Sequence, residues 1–171
     1  MANTRIGIDV PTKTNITRGM NLILKVGPYL TDGTVEPCQA VSLNTDEKTW
    51  VQTAAGPTDQ TLYPAGILEY DLSVNWDTTT PAMTTAYPAG LYVHAIAHGP
   101  CLCQVDKSQI TTNTERVGSI MCVTAAGIVG STYAQDDCAI GFLLDELPPN
   151  TADGDLSEIF VHLTGRRAAH S

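Results

Sequence analysis

Across residues 68–76 the chain alternates one for one: Leu68, Tyr70, Leu72, Val74 and Trp76 against Glu69, Asp71, Ser73 and Asn75. Successive side chains of an extended backbone point to opposite faces, so this spacing describes a strand with one buried side and one wet side. A second run sets Leu91, Val93, Ala95 and Ala97 against Tyr92, His94, Ile96 and His98. A third sets Ile159, Val161 and Leu163 against Phe160 and His162. No window shows convincing apolar spacing of 3.6 residues with helix caps. This chain is written in the period of the strand.

What separates the runs is equally telling. Tyr-Pro-Ala-Gly occurs twice, at residues 63–66 and 87–90, each time leading into one of the alternating segments. Pro presets the backbone angle of a second turn position and Gly suits the fourth, so both copies are expected to be turns that launch strands. Asp32-Gly33 closes the earlier apolar run that starts at Met20, and Gly99-Pro100 is expected to turn the chain between the second run and "CLCQV". "RVGSIMCVTAAGIVG" is compatible with a buried helix, but its glycines and β-branched residues favour strand. Short strands at steady spacing with turn residues between them predict an all-β chain, a single-domain β-sandwich or β-barrel. At 171 residues one domain is the simplest division. Residues 1–19 read as an extended N-terminal arm, residues 20–165 as the β-rich body and residues 166–171 as a basic tail.

Charge divides along the same lines. Arg5, Lys13, Arg18 and Lys25 face a single acid, Asp9, within residues 1–27, and Arg166 and Arg167 sit in the tail. Residues 28–165 carry seventeen acids and only Lys48, Lys107 and Arg116, so the chain as a whole stands at −9. An acidic body repels phosphate, which argues against a nucleic-acid partner. Basic ends on an acidic body suit docking onto an acidic protein surface, another copy included. Arg5, Lys13, Arg18 and Lys25 are the candidate docking residues. The opening residues lack the continuous apolar stretch of a secretion signal, and no apolar run approaches the ~18 residues of a membrane span. The expectation is a chain made in the cytoplasm without a membrane partner. The five cysteines follow no disulfide-scaffold spacing and are expected to be reduced and mostly buried.

One cluster invites a metal reading. His94, His98, Cys101 and Cys103 are soft ligand types in number sufficient for a tetrahedral zinc site. A turn at Gly99-Pro100 would let two strands bring them together, but the spacing matches no established zinc motif. Two outward histidines and two packed thiols explain the same residues, so no metal and no cofactor are expected. "TADGDLSE" falls short of a calcium loop, and "GIVGST" is neither a phosphate loop nor a nucleophile elbow. No nucleophile–base–acid set can be named, so an enzyme is not expected. Tyr63, Tyr70, Trp76, Tyr87 and Tyr92 could form an aromatic platform, which keeps a carbohydrate- or receptor-binding module as an alternative.

Over residues 28–165 the layout resembles the head decoration, or cement, proteins of tailed bacteriophages. "GILEYDLS" is followed by a polar loop and "GLYVHAIAHGPCLCQV"; "CAIGFLLDEL" and the closing "EIFVHLTG" are the most characteristic stretches. The resemblance implies a structural virion protein on the outer capsid surface, with the major capsid protein as partner. It also implies self-association as a homotrimer, a host-cytoplasmic origin and stabilisation of the expanded head. A tail or neck protein is a related alternative. The chain is longer than many of the smallest members of that family, the basic N-terminal arm being the addition.

Overall fold

A computed structural model describes residues 23–44, 46–54, 63–70, 85–105, 117–125, 127–131, 139–144 and 155–163. Within them the protein is all-β. The strands are β1 (Leu24–Thr31), β2 (Ala40–Asn44), β3 (Thr49–Gln52), β4 (Pro64–Leu68) and β5 (Tyr92–Gln104), then β6 (Ile120–Ala125), β7 (Ile128–Gly130), β8 (Ala139–Leu143) and β9 (Leu156–His162). They form one mixed sheet, in the order β1-β3-β2-β4-β5-β9-β8-β6-β7, with a further pairing of β1 to β5. The one parallel ladder, β1 with β3, joins strands that are otherwise connected through antiparallel neighbours.

That extra pairing closes a ring. β1 pairs with β3, β3 with β2, β2 with β4, β4 with β5, and β5 returns to β1. Ile96 sits at the closure, opposite Ile67 of β4 on one side and Lys25 of β1 on the other. Inside lie Val35, Val41, Trp50, Leu68, Tyr87, Val93 and Ala95. Trp50 is fully buried, donates its indole N–H to the Val93 carbonyl at 2.7 Å, and meets the edge of Tyr29 at 5.1 Å. A closed ring leaves no unpaired edge, which makes the barrel alternative the apt description of this half.

From His98 onward β5 pairs with β9, then β9 pairs with β8, β8 with β6 and β6 with β7. A bridge from Val129 to Val105 brings β7 back to the end of β5. A second core gathers here, built from Cys103, Val105, Met121, Val123, Val129, Ile140, Leu143, Ile159 and Val161. Ala40 and Ile67, from the first ring, reach into it. β5 is therefore the strand common to both halves.

Buried polar contacts tie the halves together. The Gln104 amide donates to a Glu36 carboxylate oxygen and to the Pro37 carbonyl, both at 3.0 Å. The Gln52 amide donates to the Gln39 side-chain oxygen at 3.1 Å. Backbone N–H groups of Ala40, Gly127 and Thr53 donate to the carbonyls of Gly127, Thr53 and Ala40. Each group loses water on folding and regains a partner, which buried amides require.

Two expectations need correction. The first Tyr-Pro-Ala-Gly copy is not a turn, since Pro64 to Leu68 is β4 itself. A Cβ at Gly66 would stand 2.6 Å from the Ile96 carbonyl oxygen, so Gly there permits close approach of β4 to β5. The second copy is a turn, with Gly90 at φ +83° ahead of β5. Of the alternating run from Leu68, only Leu68 falls in β4, Glu69 and Tyr70 follow it, and residues 71–84 lie outside the described residues. Gly99-Pro100 does not turn the chain: β5 runs straight through it, with Gly99 at φ +119°. Beyond His98 no β1 partner flanks β5, so the missing N–H of Pro100 falls where that ladder has ended.

Two strand readings hold. "RVGSIMCVTAAGIVG" supplies β6 and β7. Val93 and Ala95 are buried while Tyr92 is exposed, and Ile159 and Val161 are buried while His162 is exposed, as the alternation requires.

Candidate functional site

The inward residues of β5, β9 and β8 are committed to the second core, so their alternate residues must face out. Register decides which of those meet. Pro100 stands opposite Phe160, Phe160 opposite Phe142, and Phe142 opposite Ile120. This is one row across β5, β9, β8 and β6, apolar at every position. One step along, Leu24 stands opposite His98 and His98 opposite His162. Leu24 is 59% exposed, Ile120 51% and Phe142 37%. Apolar side chains standing together on the wet side of a sheet are more informative than scattered ones.

The rings in these rows touch. Phe142 and Phe160 stack with centroids 5.2 Å apart and planes within 10°. At that separation they overlap in part, so their faces are turned partly towards each other and less towards a ligand above the sheet. His98 meets the edge of Phe160 at 5.1 Å and lies 5.2 Å from the His162 ring. A concavity of about 270 Å³ opens beside them, lined by Gly118, Ile120, Ala139, Gly141, Phe142 and His162. It falls below the ~300–1,000 Å³ of clefts that enclose small-molecule ligands.

The four residues of the metal expectation all lie on β5. Each residue of a strand advances about 3.3 Å, so His94 and Cys103 are held roughly 30 Å apart and cannot meet at one ion. Without the hairpin the set does not assemble. Among the described residues no group of three or more His, Cys, Asp or Glu could hold a metal. Cys103 is fully buried, and Cys38 and Cys101 lie close enough to influence it. Burial pushes the Cys38 thiol from an ordinary value of 9.0 up to about 11. Burial also drives Cys101 and Cys103 well above the usual thiol range, with smaller contributions from neighbouring thiols. Cys38, Cys101, Cys103 and Cys122 carry no disulfide, and Cys138 lies outside the described residues. Thiols kept protonated are poor ligands and poor nucleophiles.

Of the candidate docking residues only Lys25 is described, since Arg5, Lys13 and Arg18 lie outside those residues, as do residues 166–171. Lys25 is ion-paired with Glu69 across the first ring, so its charge is partly met within the chain. The residues named for the aromatic platform differ in exposure. Tyr87 is fully buried and its hydroxyl donates to the Glu69 carbonyl at 2.6 Å, Tyr63 and Tyr70 are half-buried, and Trp76 lies outside the described residues. Among them Tyr92 alone is widely exposed, at 63%.

Sequence reasoning passed over Phe142, Ile120 and Leu24 altogether. A signal existed for Phe160 and His162, which occupy the outward phase of a clean alternation; the rows they join depend on strand pairing. No protein-family model matches the chain, and no curated protein matches it in sequence. Among the described residues no helix is long and apolar enough to cross a membrane.

Proposed function

We propose that this protein is a structural component that decorates the outside of a phage capsid and stabilises the expanded shell by contact. The observation that carries this reading is the outward apolar row Pro100–Phe160–Phe142–Ile120, adjoined by Leu24, on an all-β body. Burying what these side chains still expose contributes about 25 cal/mol per Å² of apolar surface removed from water. A few such contacts are modest for one copy. Repeated within a trimer that clamps neighbouring shell subunits, they multiply through effective concentration. A protein that binds the expanded shell and not its precursor stabilises the expanded state by mass action.

The charge distribution supports the same reading. The acidic body and the basic residues Arg5, Lys13 and Arg18 divide the chain into a repelling surface and attracting ends. These residues steer the chain onto an acidic shell or onto a neighbouring copy.

The test is co-sedimentation with expanded phage shells assembled from a purified major capsid protein. We expect saturable retention at a fixed copy number, with weaker retention when residues 1–19 are deleted. Retention that never saturates would overturn the capsid role, and unchanged occupancy after the deletion would remove the N-terminal residues from it.

A further inference from the structure

His98 and His162 are far apart in sequence but directly opposite across β5 and β9. Their Nδ1 atoms stand 3.2 Å apart. Two imidazoles on one tetrahedral zinc-like ion, each bonded at about 2.0–2.1 Å, would place their nitrogens about 3.3 Å apart. The pair therefore already has the bite of a chelate. Its orientation is fixed by neighbours: Phe160 sets its ring against His98 at 89°, and both histidines stand on hydrogen-bonded strands. Ligands on paired strands hold their geometry better than ligands on loops.

We propose that His98 and His162 form a two-imidazole site for a divalent transition-metal ion of the zinc, nickel or copper class. Both rings would donate the Nδ1 lone pair. In the metal-free pair one Nδ1 carries the hydrogen that the other accepts. On binding, that ring gives up its Nδ1 proton and takes one at Nε2, so two neutral rings bind with no net proton change. The remaining coordination positions are open to water or to a ligand from a docked surface. Hard cations such as Mg²⁺, which prefer oxygen, are excluded by the donor type. This pair shares only His98 with the His94, His98, Cys101 and Cys103 set, and it draws its second ligand from a strand some 60 residues on.

The experiment titrates chelator-treated full-length protein with CuCl₂, NiCl₂, ZnCl₂ and MgCl₂ by calorimetry. We expect one ion per chain, affinity falling from Cu²⁺ to Ni²⁺ and Zn²⁺, and no uptake of Mg²⁺. His98→Gln and His162→Gln should each weaken binding at least tenfold, and His94→Gln should leave it unchanged. On the wild-type protein, the ring resonances of His98 and His162 should shift together on adding Zn²⁺ while those of His94 stay fixed. Uptake no greater than that of the His98→Gln/His162→Gln double variant would reduce the pair to a hydrogen bond between imidazoles. Wild-type affinity in either single variant, or an unshifted His98 or His162, would equally overturn the site.

Discussion

Trp50 does two jobs at one position: it fills the first ring and satisfies the Val93 carbonyl on β5. Trp50→Phe keeps an aromatic ring but removes that hydrogen bond and leaves a void. We expect a loss of about 2–4 kcal/mol in denaturant unfolding. The thiols make a second residue-level statement. A protonated Cys38 in the folded chain, against an unfolded thiol that ionises near 9.0, means the folded state holds more protons between there and about 11. Stability from this residue is complete below the lower value and is lost as pH climbs through the upper one. Alkylation by iodoacetamide at pH 8 should accordingly reach Cys38 and Cys103 only as fast as the chain opens. Rapid labelling of Cys103 in folded protein would contradict its burial.

At the scale of the element, one tetrapeptide takes two conformations because its neighbours differ. At Gly66 a methyl group would meet the backbone of β5, whereas at Gly90 there is open space but a left-handed backbone. Gly66→Ala should therefore cost roughly 1–3 kcal/mol through overpacking, and Gly66→Asn no less. Gly90→Ala should cost about 1–2 kcal/mol, with Gly90→Asn milder because Asn tolerates that conformation. Equal responses at the two sites, read from thermal melts, would show that the copies are not distinguished in this way. The comparison also shows what could be read from the chain alone. Alternation assigned the faces of β5 and β9 correctly, since the phase of a strand is a local property. It could not separate a Pro-Gly turn from a Pro and a Gly inside strands, because that choice depends on which partner strand lies alongside. Pro100 is tolerated only where β1 has ended, and nothing near Pro100 in sequence reports where β1 ends. The candidate site was illegible for the same reason. Phe142 next to Phe160, and His98 next to His162, are facts of register between distant segments.

For the whole molecule, the long strand β5 belongs to both halves, and its outward residues contribute to both exposed rows. The inner faces of the strands hold the two cores, while the outer face of β5, β9, β8 and β6 is left apolar along one line. Such a line is costly in water unless something covers it. The most direct measurement is shell retention of Ile120→Glu and Phe142→Glu, each verified as folded by its β-type circular dichroism. Both positions are exposed, so the fold should survive. If this face docks on an assembled shell, each charge should lower retention at least tenfold while a control, Tyr92→Glu on the outer side of the first ring, binds as wild type. Full occupancy by the two face variants would contradict the account.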